Sequence, residues 1–342
     1  MNMRVARAYD YLDVRLEELP TPTLKPGDLL VRTRACGICS GDVTPWYIRK
    51  KAPIVFGHEP VGEVVACGEG VEGISPGSRV FVHHHVPCLA CPWCDRGEFV
   101  QCPTWRATAL EPGGMAEFIR VPQINARVDT LVLPESVTDV DGTLVEPLAC
   151  VVKSLRRAGL VQGASVLIVG LGVMGQLHIL LARHWGAELI IGADLQKPRC
   201  AKALELGADQ VIDASAQDVV GATLEITNGR GCDIVIAGPA TTEALDLAIR
   251  SAARGATVIQ FMGTPPGERL SLDTHDVYFR EIRLVPSYSC GPQETRIALD
   301  LIAQGVVTAR HVVTHVFPFE RVAQAYATAA RNPAAIKVVV CF

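Results

Sequence analysis

The chain has 342 residues, 49% of them hydrophobic and 20% charged, which is enough for about two ordinary domains and unlike the composition of disordered or fibrous chains. Its 32 basic against 36 acidic residues leave a net charge of −4 with no basic run, which argues against nucleic acid and membrane surfaces as partners. There are 12 cysteines behind an N-terminus, MNMRVARAYD, that carries no apolar signal region. The expected setting is the cytoplasm, where cysteines more often bind metal than form disulfides.

The first 145 residues are rich in Pro, Gly and Cys, with short alternating segments such as DLLVRTRAC and GEVVACG bounded by the turn signals KPGD and SPGS. That texture predicts an irregular, mostly β domain. From about 151 to 290 come apolar runs VLIVG, LIIGAD, QVID, DIVIAG, ATVIQFMG and RLVPSY, separated for the most part by helix-length amphipathic segments. This is the βαβ pattern of a doubly wound parallel sheet. Residues 164–182 form the most apolar stretch, but Gln176, His178 and the glycines make it a buried strand followed by a helix, not a membrane span. After Pro292 a helix, a short strand, a second helix and a terminal strand IKVVVCF are expected, too little for a domain of their own.

Cys88, Cys91, Cys94 and Cys102 follow the spacing C-x2-C-x2-C-x7-C in a loop-like segment. Four sulfurs converging tetrahedrally favour a structural zinc whose closed shell leaves no position for substrate. Just upstream stand His83, His84 and His85; strand alternation would point the outer two one way and the middle one the other, with a structural role expected and a substrate-channel role for one of them the alternative.

A strand, Val166 onward, runs into Gly170-Leu-Gly172-Val173-Met174-Gly175 and then an apolar helix. The glycines of such a G-x-G-x-x-G turn let a dinucleotide pyrophosphate approach the helix N-terminus. The following strand ends at Asp194, placed to accept hydrogen bonds from the adenosine ribose, so NAD is expected over NADP; Lys197 and the cofactor-side Arg199 weaken that preference.

Three further fragments are weak singly: Cys36-Gly37-Ile38-Cys39-Ser40-Gly41-Asp42, Gly57-His58-Glu59 and Glu146-Pro147-Leu148. Together GHEPVGEVVACGEGV, the cysteine lobe and the dinucleotide motif resemble the zinc-containing medium-chain dehydrogenases over the whole chain. Because VEPLA carries Glu146 where ethanol-type members carry a cysteine, the likeness is to the sorbitol (iditol), threonine and butanediol dehydrogenase branch. The resemblance implies an α/β protein with a GroES-like, mostly β catalytic domain from residues 1–150 and 291–342, around a Rossmann NAD-binding domain at 151–290.

It also implies two zinc ions per chain, the catalytic one bound by Cys39, His58 and Glu59, with Glu146 as an exchanging ligand or the partner of a zinc-bound water. Cys, His and carboxylate donors leave the fourth position open, as a catalytic zinc requires. Asp42 is expected to hold the His58 ring through its other nitrogen. Each of Glu59 and Glu146 precedes a proline, which favours extended backbone, and Glu146 is expected just before a helix that begins at Pro147. Family members usually have Ser or Thr two positions after the zinc-binding cysteine; here the order is Ser40-Gly41, and the proton route is left among Ser40, Thr44 and water.

The expected activity is NAD-dependent oxidation of a small secondary alcohol or polyol to the ketone, reversibly. The alternatives are a primary alcohol or aldehyde reductase of the same family and a non-catalytic zinc protein. Trp46, Tyr47, Trp105 and Met115 are either pocket-lining or packing residues. The resemblance implies a homotetramer or homodimer.

Overall fold

The computed structural model describes residues 2–342, which divide into two compact units, 2–149 with Cys290–Phe342 and Cys150–Ser289.

The second unit is a six-stranded, wholly parallel sheet ordered Gln210–Asp213, Leu189–Asp194, Ser165–Val169, Cys232–Ala237, Ala252–Gln260, Arg283–Pro286. The strand first in sequence lies third in this order, so the sheet grows outward in both directions from it, the doubly wound Rossmann order. Val166, Leu167 and Ile168 on that central strand are wholly buried, because helices cover both faces of a parallel sheet. Each such side chain contributes about 1.5–3 kcal/mol of burial. The helix Val173–His184 follows the central strand at once.

The first unit holds a small antiparallel sheet, Asn2–Asp10 with Asp13–Pro20 and Ile54–Val55, and a larger one. In the larger sheet Leu29–Ile38 pairs antiparallel with Pro60–Cys67, Lys337–Cys341 and Phe118–Val121. Its registers set Cys36 opposite Pro60 and Val338 opposite Ile38. The end of one strand and the beginnings of two others therefore meet at one place, and Cys39, Glu59 and Lys337 are the residues just there. The C-terminal segment completes this sheet instead of standing alone, as its small size requires.

Candidate functional site

Cys39 caps a single 3-10 turn, Ser40–Val43, at the end of its strand. The Gly41 amide donates to its sulfur at 3.4 Å, and the Cys39 amide donates to the Asp42 carboxylate at 3.2 Å. The same carboxylate, buried, lies 3.5 Å from His58 Nδ1, which leaves Nε2 of that ring as the natural donor to a metal. The donor atoms of Cys39, His58 and Glu59 lie within 4.8 Å of one another. Burial by itself would lower the proton affinity of His58, but Asp42, Cys39 and Glu146 together raise it well above the ordinary histidine value. A partly buried cluster of acidic donors that drives up a neighbour's proton affinity is a cluster that favours a cation, and its Cys, His and carboxylate set suits zinc.

The carboxylate of Glu59 is ion-paired with Lys337, and both side chains are 1% exposed. The Lys337 ammonium also donates to the Ile38 carbonyl at 3.1 Å. Gly37 makes room for this pair: a Cβ at that position would stand 1.9 Å from Glu59 Oε2. Burial alone would lower the pKa of Lys337, but Glu59 and then Cys39 reverse the direction and hold it above the usual lysine value. Lys337 was missed from sequence, although a lysine inside the otherwise apolar IKVVVCF was a usable signal.

Glu146 stands where sequence did not place it. The helix spans Val145–Ala158, so Glu146 lies within its first turn and is helical, with Pro147 third instead of first. The pre-proline bias toward extended backbone yields here because first-turn amides have no intrahelical acceptor, and Pro147 forfeits nothing. The carboxylate still feels the positive end of the helix. Its donor atom groups with those of His83 and Cys290, all three residues being buried.

The three histidines lie just beyond the strand Arg79–Val82. His83 is tied to Asp129 at 2.7 Å and His85 to the Thr108 carbonyl, whereas the ring of His84 packs 4.9 Å from that of His58. Burial pushes His84 well below the ordinary histidine value, aided by its histidine neighbours, so it is neutral. Thr44 donates to the Ser40 carbonyl at 2.8 Å, and Ser40 is exposed. Met115 belongs to the hydrophobic core and Trp105 packs against the cysteine lobe, so neither is free to line a pocket; Trp46 and Tyr47 are partly buried.

The four-cysteine lobe has sulfur separations of 3.6 Å for Cys91–Cys94, 3.6 Å for Cys88–Cys102 and 4.0 Å for Cys88–Cys94. A tetrahedron with Zn–S bonds of 2.3 Å has an edge of about 3.8 Å, so the set fits one zinc ion. Burial would raise the Cys102 thiol, but amide donors from Cys88, Trp105 and Thr104 hold it down, to about 6. A Cys102→Ser variant is expected to lose one zinc equivalent and to open residues 88–105 to proteolysis before the rest of the unit unfolds. Retention of full zinc content by atomic emission would contradict this.

In the parallel-sheet unit, Gly170 has φ of 88°, and a Cβ on Gly175 would lie 2.1 Å from the Gly170 carbonyl oxygen. The turn from strand to helix therefore admits only glycine at these two places, and the helix that follows Gly172 begins without a side-chain cap on its first amides. Asp194 ends the neighbouring strand and accepts from the Leu171 amide at 2.6 Å and the Gln196 amide at 2.8 Å. Arg199 lies 3.9 Å from the Asp194 carboxylate.

Among the described residues no helix is long and apolar enough to cross a membrane. Residues 25–129 match the model of the alcohol dehydrogenase GroES-like domain and residues 173–304 that of zinc-binding dehydrogenases. The chain is 31% identical to sorbitol dehydrogenase of Mus musculus, over 94% of this chain and 90% of the relative. To L-threonine 3-dehydrogenase of Symbiobacterium thermophilum it is 34% identical, over 79% and 77%. Among solved structures, a protein of Sinorhizobium meliloti 1021 described as a zinc-binding dehydrogenase and bound to NADP superposes with a TM-score of 0.88 at 30% identity, over 100% of both chains.

Proposed function

Since this chain belongs to the zinc-containing medium-chain dehydrogenases, in their polyol branch, we propose that it oxidises a secondary alcohol or polyol to the ketone, reversibly, with NAD. The observation that carries this reading is the convergence of Cys39, His58 and Glu59 on one point, with Asp42 behind His58. When bound, zinc acts as a Lewis acid on the alcohol or carbonyl oxygen, and the nicotinamide accepts or returns the hydride.

The chain's own residues do the rest. Cys39 and His58 would hold the ion, Asp42 fixes the His58 ring, and Glu59, already paired with Lys337, would be the third donor. Glu146 supplies a second carboxylate near the ring, and the neutral His84 offers a hydrogen-bonding edge suited to a polyhydroxylated substrate. Thr44 Oγ1 donates to the Ser40 carbonyl; to relay the substrate's proton it must release that carbonyl and hand its own hydrogen to water as it takes the substrate's, so that one proton leaves for each one received. The four-cysteine lobe holds the second, structural zinc. The test is a panel of secondary alcohols, polyols and primary alcohols with NAD, followed by reduced-nicotinamide absorbance. Turnover confined to primary alcohols or aldehydes would overturn the reading.

NAD preference rests on the Asp194 carboxylate, whose charge opposes a 2′-phosphate. With each hydrogen bond to a charged group worth about 1.5–3 kcal/mol, Asp194→Ala is expected to move the NAD to NADP ratio of kcat/KM about 10- to 100-fold toward NADP. An unchanged ratio would remove Asp194 from the argument and leave Arg199 as the arbiter.

A homo-oligomer is proposed from the outer strand Arg283–Pro286. It lies at the sheet edge, and Leu284, Tyr288, Tyr278 and Phe279 nearby are exposed. An uncovered edge with apolar side chains is a template for pairing with a second copy. Leu284→Arg should therefore lower the mass measured by light scattering to that of the monomer, and an unaltered mass would place the interface elsewhere.

A further inference from the structure

Cys290, His83 and Glu146 come from three separate parts of the sequence: the loop ahead of the helix Pro292–Ala303, the end of the strand Arg79–Val82 and the first turn of Val145–Ala158. Their donor atoms nevertheless lie within 4.8 Å of one another, and all three residues are buried. The geometry points to a further buried cation site in the catalytic unit, of zinc type, with Cys290 Sγ, His83 Nε2 and a Glu146 oxygen as its ligands.

Three independent features carry this. Cys290 Sγ stands 3.7 Å from His83 Nε2. Two ligands sharing a tetrahedral zinc at 2.3 Å for sulfur and 2.0–2.1 Å for nitrogen are about 3.5 Å apart, so the pair is already spaced for one ion. His83 is also oriented as a ligand histidine is: Nδ1 is 2.7 Å from Asp129 Oδ2, and the other oxygen of Asp129 accepts from the Thr295 hydroxyl at 2.7 Å. That arrangement places the ring proton on Nδ1 and turns the Nε2 lone pair toward Cys290, the carboxylate–histidine–metal pattern. Finally, a thiolate and a carboxylate with a neutral imidazole balance one divalent cation, which removes the cost of burying two anions side by side.

The donor chemistry selects the ion. One soft sulfur, one imidazole and one carboxylate suit zinc, and cobalt as its spectroscopic substitute, over magnesium or calcium, which take oxygen. Three protein ligands leave a fourth position for water or a small anion. The donors differ from those of the Cys39, His58 and Glu59 set, and the ring of His84 packs against a histidine of each, 5.3 Å from that of His83 and 4.9 Å from that of His58. The inference does not depend on the substrate proposed above, only on the donors.

The test is metal counting on the full-length protein, equilibrated with zinc and desalted, together with cobalt titration followed by thiolate-to-cobalt charge-transfer absorbance. Three equivalents per chain are expected in the wild type, and two in each of Cys290→Ser and His83→Gln. Cys39→Ala should also fall to two, losing its own share of the charge-transfer absorbance while keeping the share that Cys290→Ser loses. A wild-type count of two, unchanged by Cys290→Ser, overturns the site, and so does a third equivalent that neither variant removes. If both variants fail to fold, anomalous diffraction at the zinc edge on wild-type crystals decides: a peak between Cys290 and His83 upholds the site, and its absence overturns it. A site lost in Cys290→Ser alongside full retention in Cys39→Ala would uphold this inference while refuting the catalytic ligand set, so the two readings fail separately.

Discussion

Replacing Cys39 or His58 with alanine should abolish NAD-dependent turnover, by about 10³-fold or more, without unfolding the protein. Lewis-acid stabilisation by a bound metal is worth several kcal/mol at the reacting oxygen, and each 1.36 kcal/mol is tenfold in rate. Either substitution leaves only two of the three converging donors. The fold should survive because Cys39 caps a four-residue turn at a strand end and is only partly buried, and His58 lies in the bend before Pro60. Asp42→Asn should act more gently, weakening metal affinity about 10- to 100-fold, since it disturbs the orientation of His58 and not the donor count. The measurements are kcat/KM with added zinc, metal content and the far-ultraviolet spectrum. Retained zinc-dependent activity in either alanine variant would refute the ligand assignment.

Lys337→Met is expected to destabilise the catalytic unit by about 3–5 kcal/mol, the typical cost of leaving one member of a buried ion pair uncompensated. The side chains of Lys337 and Glu59 are each 1% exposed, so neither charge has water to fall back on. The double variant Glu59→Gln with Lys337→Met should recover most of that loss, because no buried charge then remains without its partner. Added zinc should also narrow the deficit of the single variant, as the ion offers Glu59 another positive partner. Urea unfolding with and without zinc tests all three statements. A loss below about 1 kcal/mol in the zinc-free single variant would mean that water reaches Glu59.

Much of the site was legible from spacing because local chemistry dictates it. The cysteine lobe compresses four cysteines into residues 88–102, and Gly170 and Gly175 are required by the backbone of one turn. Glu146 shows the limit of local rules: pre-proline sterics predicted an extended residue ahead of a helix, and the helix begins two residues earlier because its first turn tolerates proline. Lys337 and Cys290 lie farther beyond reach. They become site residues only through partners 278 and 207 positions away in the chain, Glu59 and His83.

By itself, then, the sequence determined the family and the α/β fold class, and it singled out the cysteine lobe and the glycine turn, all of which are written in short-range spacing and periodicity. Only the tertiary structure decided which carboxylate stands with which cation. The register of Lys337–Cys341 against Leu29–Ile38 brings Lys337 to Glu59. The close approach of the strand end at His83, the helix start at Glu146 and the loop at Cys290 assembles a second set of donors. Strand register and packing distance are properties of the folded sheet as a whole, and no local stretch of residues encodes them.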